Sequence, residues 1–326
     1  MAALRDVGLS LESTNEEALK DTGDEEYVPL VLAYRGACKR AQQAEALIKH
    51  IRADGRIHAR FEPTGTATGR FSSKEPNLQN VGRGELREAF TTPSGRCLVV
   101  ADYSQVELRA AAAIAGESKM IDAYRAGEDL HRKTAGVVLG LNEEDVGKSE
   151  RQLAKAVNFG LLYGQYPKGL VRYAATAYGV TLKESEAKAI RSAFFRNYSR
   201  LWEWHVQCHK RAKLRVSEVR TRLGRRRCVP HDASEWQRFT ALVNSPVQGA
   251  CADGMKQAII ILAERLPKGS RILSTVHDEV IVEVPEADAE SVSRMVIETM
   301  REAMAQLFPE VPIEVEARIC GHWGEK

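Results

Sequence analysis

Two apolar runs end on aspartates, and more than a hundred residues separate them. The first is Cys97-Leu98-Val99-Val100-Ala101-Asp102. The second is Ile272-Leu273-Ser274-Thr275-Val276-His277-Asp278, followed directly by Glu279 and Val280-Ile281-Val282-Glu283-Val284. Short runs rich in β-branched residues read as strands. The pattern between them is mainly helical, so the two strands belong to one sheet split by a helical insertion that stands beside it and walls a cleft. Two carboxylates on adjacent strand ends make a cradle for hard divalent cations. Plainer readings stand beside that one. Asp102 or Ser104 suits the N-cap of a following helix, and Val276-His277-Asp278-Glu279-Val280 is a tight hairpin whose acidic tip suits a solvated turn.

The chain has 326 residues, 44% of them hydrophobic, enough for a large core. No run approaches the roughly 18 apolar residues of a membrane span, and the N-terminus lacks a signal-peptide core. The six cysteines are scattered without a CxxC pair. That favours reduced thiols in a cytoplasmic protein and disfavours structural zinc. A net charge of +3 says little, but its distribution says more. Residues 1–30 hold eight Asp/Glu against two Lys/Arg, and residues 191–227 hold twelve Lys/Arg against two Glu. The basic block fits a phosphate-binding surface or a solvated helix face.

Ser13-Thr14-Asn15-Glu16-Glu17 offers overlapping capping boxes for a short helix. Apolar spacing predicts a helix over about 27–52, and residues 56–95 should be irregular with short strands. A helix over about 104–115 follows the first strand. Residues 116–240 read as mostly helical, with breaks at Gly127, Gly140-Leu141-Asn142, Gly164 to Gly169 and Gly179. A helix over 240–265 leads into strands 271–277, 279–284 and 313–319, with a helix at 286–307. Within the insertion, Arg151, Lys155, Phe159 and Tyr163 recur every four residues and share one helix face. Two cations precede two aromatics, which is the order of polyanion and flat base in a nucleoside triphosphate. An ordinary amphipathic helix is the plainer alternative.

Taken together these segments resemble the polymerase region of family A DNA polymerases, the bacterial DNA polymerase I family. Asp102-Tyr103-Ser104-Gln105-Val106-Glu107-Leu108-Arg109 resembles motif A, Arg151 to Gly164 motif B, and Val276-His277-Asp278-Glu279 motif C. Thr68-Gly69-Arg70-Phe71-Ser72-Ser73, Pro76-Asn77-Leu78-Gln79-Asn80, Asp129-Leu130-His131-Arg132, Gly224-Arg225-Arg226-Arg227 and Asn244-Ser245-Pro246-Val247-Gln248-Gly249 match in the same order. The resemblance implies an α+β fold, a palm with an antiparallel sheet plus a mainly helical fingers insertion. Residues 1–55 would be thumb-base helices, 56–115 and 241–326 the palm, and 116–240 the fingers. It implies primer-dependent DNA synthesis from dNTPs on primer-template DNA, with two Mg2+ ions for which Mn2+ can substitute. Asp102 and Asp278 would ligate the metals, with the Tyr103 carbonyl completing the shell and Glu279 behind them. Arg151, Lys155 and His131 would hold the triphosphate, Lys155 also acting as general acid. Ser104, Gln105, Phe159 and Tyr163 would line the nucleotide site, with Glu107 as the steric gate against a 2′-hydroxyl. Arg70, Asn244 and Gln248 would test minor-groove geometry. Asn77, Gln79, Asn80, Arg225 and Arg226 would touch backbone or template, and His277 the primer end.

Some residues fall outside these roles. Phe71, Trp202, Trp204 and Trp236 read as packing residues, His205 and His209 as packing or surface histidines, and the cysteines as small core residues. Most of the thumb and the exonuclease carboxylates are not found, so no proofreading is expected, and either low processivity or a protein partner supplying the grip. Thr240 stands where the family usually has arginine, with Arg238 as a candidate substitute. The competing readings are a related RNA polymerase or reverse transcriptase, which the Glu107 gate disfavours, and a non-catalytic DNA-binding replication or repair subunit.

Overall fold

The computed structural model describes residues 22–325 together with 6, 8, 13, 14, 18 and 19. The capping-box segment at 13–17 therefore lies largely outside the described residues. The strands are β1 (Arg60–Glu62), β2 (Ser72–Lys74), β3 (Arg96–Tyr103), β4 (Glu218–Arg220), β5 (Arg226–Cys228), β6 (Arg271–Val276), β7 (Glu279–Pro285) and β8 (Val315–Cys320). The helices are α1 (Tyr27–Ile48), α2 (Glu85–Glu88), α3 (Val106–Ala115), α4 (Ser118–Arg125), α5 (Leu130–Leu139), α6 (Lys148–Leu162), α7 (Pro167–Tyr178), α8 (Glu184–Asn197), α9 (Ser199–Lys213), α10 (Glu235–Arg265) and α11 (Ala289–Leu307).

The main sheet runs β6-β7-β3-β8 and is antiparallel throughout. Its two central strands are buried almost from end to end. Both faces are covered, which is why their sequences are nearly continuous apolar runs rather than alternating ones. Val99, Ala101, Tyr103, Val280, Val282 and Val284 face the large core built with α3, α10 and α11. Leu98, Val100, Val276 and Ile281 belong to a second core with Leu78, Val81 and Trp323. The register sets Asp102 opposite Glu279 on β7 and opposite Glu316 on β8. The α+β class expected from sequence is the class observed.

The insertion is helical, with one exception. Residues 214–234 break the helical pattern, and β4 and β5 pair as a hairpin turned by Gly224 at φ 83°. The arginine-rich composition there resembles a polar helix face, which hides the alternation that makes the hairpin. The long helix α10 carries Pro246 in its interior. Proline removes the N–H that would bond the carbonyl four residues back. That carbonyl, on Leu242, instead accepts from the Cys208 thiol at 3.9 Å. Cys97, Cys208, Cys251 and Cys320 are buried, whereas Cys228 is exposed, contrary to a uniform core role. No helix among the described residues is long and apolar enough to cross a membrane.

Candidate active site

Asp102 sits at the open end of β3, and Asp278 in the two-residue turn between β6 and β7. The Tyr103 amide donates to the Asp278 carbonyl at 3.2 Å and ties the two strand ends together. Two non-glycine residues flank them in the left-handed region, Gln105 at φ 53° and His277 at φ 59°. Such backbone costs energy and is held only where its surroundings enforce it. Buried Arg109 does so at the first corner, donating to the Ser104 carbonyl (3.0 Å), the Pro312 carbonyl (2.6 Å) and Glu314 (2.5 Å). The Gln105 side chain accepts from the Tyr124 hydroxyl at 3.2 Å. The Tyr103 hydroxyl is spent on the Met300 carbonyl at 2.7 Å, leaving only its backbone for the site.

Burial pushes the Asp278 carboxyl up to about 6, and neighbouring Glu107 and Asp102 add to the rise while Arg70 opposes it. Acids crowded in this way gain from a bound cation. Glu279, the residue after Asp278, is engaged elsewhere. Its carboxylate accepts from the Trp323 indole at 2.9 Å and pairs with Arg87 at 3.6 Å, while Arg87 stacks over Trp323. Those contacts make it a brace for the strand end, behind the two aspartates.

Glu107, in the first turn of α3, is gripped from two sides, by the Arg70 guanidinium and by the Tyr163 hydroxyl. Burial, helped by Glu107 and opposed by Gln248, raises the Tyr163 pKa well above its ordinary value, so Tyr163 stays a donor. Tyr163 ends the stripe of α6. Between residues 153 and 163 only Lys155, Phe159 and Tyr163 are partly exposed, and every other side chain is buried. Arg151 continues the same stripe. The helix can be buried on its other sides because Gly160 lets α7 approach: a Cβ there would lie 2.8 Å from Leu170 and 3.1 Å from Tyr173.

At the head of the stripe Arg151 donates to Asp129 at 2.6 Å. Asp129 also caps α5, accepting from the His131 and Arg132 amides. His131 is buried, and the Asn158 amide donates to its Nδ1 at 2.8 Å, which leaves the ring proton on Nε2. Burial, helped by Arg151 and Lys155, lowers its pKa to about 4, so the ring is a neutral donor at ordinary pH. Lys155 has no carboxylate partner among the described residues. Asn158 and Asp129 are supporting residues the spacing argument misses: Asn158 lies on the buried side of α6, where it reads as core.

The expected DNA contacts divide. On α10, Thr240, Asn244 and Gln248 form a half-exposed row, and the Asn244 Oδ1 is buried without a hydrogen-bond partner. Asn77 accepts from the Gln79 amide, Gln79 donates to the Thr275 carbonyl at 3.1 Å, and Asn80 is exposed. His277 is exposed beside Asp278, and Arg226 is exposed on the hairpin. Arg225 is committed to protein, donating to Asp253 (2.7 Å) and the Thr68 carbonyl (2.6 Å). Asp253 is buried and requires a cation, so Arg225 is a strut rather than the DNA contact expected. Arg238 is likewise buried, on the His231 carbonyl at 2.9 Å, and cannot stand in for an arginine at 240. His205 is a core histidine bonded to the Leu162 carbonyl at 3.0 Å, and His209 stacks on Phe239.

An antiparallel sheet with paired carboxylates at its open end, beside a helical insertion whose α6 displays cations and then aromatics, makes an α+β domain with one polar site. The comparisons agree. The model for DNA polymerase family A matches residues 6–325, and the chain belongs to that family. It is 40% identical to DNA polymerase I of Aquifex aeolicus over 95% of this chain and 53% of that protein. It is 38% identical to a thermostable DNA polymerase I of Thermus filiformis over 95% of this chain and 37% of that protein. Among solved structures it is similar to the POL domain of Pol1 from M. smegmatis, in complex with DNA primer-template and dNTP. The TM-score is 0.83 and the identity 31%, covering 96% of this chain and 56% of that one. The chain thus spans about half, or less, of the length of these relatives.

Proposed function

We propose that the chain is a DNA-directed DNA polymerase that extends a primer on a template. The observation that carries this is the pairing of Asp102 and Asp278 across from the Arg151-Lys155-Phe159-Tyr163 stripe. The donor set fits magnesium: two hard carboxylates and, among the described residues, no cluster of three His, Cys, Asp or Glu that would suit a fully protein-bound metal. Magnesium typically takes one or two carboxylates and fills its shell with water and phosphate. Asp102 and Asp278 would hold two such ions (or Mn2+), which when bound supply the charge that acidifies a primer 3′-hydroxyl and steadies a leaving pyrophosphate.

The chain's own groups do the rest. Arg151 and Lys155 hold a triphosphate by charge-assisted hydrogen bonds. Neutral His131 adds an Nε2–H without adding charge, and Lys155 is the group that protonates the leaving oxygen. Ser104 and Gln105 would line the corner below the sugar, and the Tyr103 carbonyl would complete the shell of a bound metal. Phe159 supports the sugar and base. Glu107 closes the space under C2′, and its two tethers make it a rigid wall rather than a side chain that yields to a hydroxyl. Arg70, Asn244 and Gln248 offer donors to the acceptors that every correct pair shows in the minor groove. Asn80, Arg226 and His277 remain candidates for backbone, template and primer contacts. Palm (56–115 and 241–326), fingers (116–240) and thumb base (1–55) are the corresponding division of the chain.

Primer extension in Mg2+ tests this. Asp102→Ala and Asp278→Ala should each reduce extension about 10³-fold or more with the fold retained. Robust synthesis by either variant refutes the assignment.

A further inference from the structure

Three acids stand together at the open end of the sheet: Asp102, Asp278 and Glu279. Asp102 and Glu279 are register partners across β3 and β7. Residues so opposed share one face of a sheet, with Cβ atoms roughly 4.5–5.5 Å apart. Asp278 precedes Glu279 directly and feels the charge of Asp102. Strand pairing alone would therefore bring three carboxylates to one cation. Yet among the described residues no group of three His, Cys, Asp or Glu is placed to hold a metal ion.

Two side chains from distant parts of the chain turn the third carboxylate away. The Glu279 Oε1 accepts from the Trp323 indole at 2.9 Å and lies 3.6 Å from the Arg87 guanidinium. That guanidinium sits 4.0 Å over the Trp323 ring, so the two groups hold each other as well as the acid. The Arg87 Nε also donates to the Val81 carbonyl at 3.4 Å. Trp323 is buried, its amide donates to the Phe90 carbonyl at 3.0 Å, and its ring meets Phe90 edge-on. Gly324 closes the contact because it has no side chain: a Cβ there would lie 2.9 Å from the Glu88 backbone nitrogen. The end of the described chain is thus fastened to α2 and the residues after it, and this fastening carries both groups that grip Glu279.

Stability does not explain such a clamp. A buried ion pair seldom stabilises a fold more than apolar residues of the same volume. An apolar residue at 279 would also relieve Asp102 of a like charge opposite it, which destabilises a sheet. What a carboxylate at 279 adds is a potential third ligand, and what Arg87 and Trp323 add is a hold on it. We propose that Arg87 and Trp323 are positioning residues that withdraw Glu279 from the metal shell. The site then offers a cation two carboxylates and leaves the other positions to water, phosphate and the primer hydroxyl. A third carboxylate would tighten the binding of a hard cation, since affinity follows ligand charge count. It would also occupy a position the reaction needs. This rests on reading Asp102 and Asp278 as the metal-holding pair.

Mn2+ binding to the full chain, followed by the loss of the free-ion EPR signal, tests the clamp without turnover. Arg87→Met keeps the stem of the side chain and removes its charge, and Trp323→Phe keeps a ring and removes the indole N–H. Each should bind Mn2+ about 10-fold more tightly than wild type. Adding Glu279→Gln to either should return the affinity to the wild-type value, because the gain belongs to that carboxylate. Arg87→Lys, which keeps a cation able to sit on the ring, should recover most of the hold. In primer extension both clamp variants should lose kcat about 10-fold, with the KM for dNTP within about 2-fold of wild type. A purely structural contact predicts a lower melting temperature with Mn2+ affinity unchanged or weaker. Unchanged or weaker Mn2+ binding in the folded variants overturns the proposal, and so does a gain that survives Glu279→Gln. Asp278→Ala separates the clamp from the polymerase reading. If that variant binds Mn2+ as wild type does, the metal pair is misassigned and the clamp falls with it. If it loses Mn2+ while the clamp variants match wild type, the clamp alone is wrong.

Discussion

Two regions of this molecule are rich in cations and use them in opposite ways. The β4–β5 hairpin, at the end of the basic block, carries Arg220, Arg222, Arg225, Arg226 and Arg227. Arg222 donates to the Leu307 carbonyl (2.7 Å), Glu310 (2.9 Å) and the Ala113 carbonyl (3.1 Å), stapling the hairpin to the ends of α3 and α11. Arg225 holds Asp253 and Thr68, and Arg227 donates to the Ser245 hydroxyl at 2.8 Å. On α6 there are only two cations in the stripe. Arg151 is oriented by a helix-capping aspartate, and Lys155 has no carboxylate partner among the described residues. Charge density marks the hairpin, but charge left unspent marks the helix. A cation already paired with a buried acid has little to offer a ligand, because moving it exposes the acid's full desolvation cost.

The comparison is broken most directly by removing one cation from each region. Lys155→Ala should lower the rate of nucleotide incorporation about 10²–10³-fold, with the melting temperature hardly changed. Pre-steady-state incorporation paired with a thermal melt measures both; a Lys155→Ala protein that incorporates at the wild-type rate ends the general-acid role. Arg225→Ala should do the reverse. It leaves Asp253 buried with only the Thr221 hydroxyl, at 2.6 Å, and should cost about 2–4 kcal/mol of stability. Denaturant unfolding checks this, and a variant as stable as wild type would show that the strut is dispensable.

Glu107 tests whether rigidity matters as well as position. With its carboxylate removed, Arg70 and Tyr163 lose their shared acceptor and the space under C2′ opens. Glu107→Ala should reduce discrimination against ribonucleotides about 10–100-fold. Competing dNTP and rNTP incorporation measures the ratio, and an unchanged ratio removes Glu107 from the gate.

What is legible in the chain follows the range of each interaction. The strand ends and the α6 stripe are local patterns, a short continuous apolar run in one case and a period near 3.6 in the other, so they can be read along the sequence. The α+β plan follows from them. The hairpin is not legible, because its arginines mask the alternation and Gly224 is its one clear turn signal. Arg225 as a strut depends on Asp253, 28 residues away, and Glu279 as a brace depends on Trp323, 44 residues away. Pairing over such distances leaves no periodic trace. Trp202 and Trp236 read as packing residues and do pack, on Phe195 and Phe239, but how much of each ring stays exposed is set by the surrounding helices and leaves no trace in the sequence.

The smallest expected effects separate two histidines that share an electrostatic state. Burial lowers both His131 and His205 to about 4 from an ordinary value of 6.5. In each case the unfolded chain binds the extra proton first as pH falls. The stability is therefore fully present above about 6.5 and is lost progressively as pH drops toward 4. His131→Asn and His205→Asn should each flatten the pH dependence of unfolding across that window. Only the first should also weaken dNTP binding, by several-fold, because only His131 lies beside the stripe, with Phe159 6.0 Å away ring to ring. Denaturant melts at pH 4.5 and 7.5, run beside dNTP titrations at pH 7.5, distinguish the pair. Equal loss of dNTP affinity in both variants would mean that His131 acts through the fold of the insertion and not through its Nε2–H.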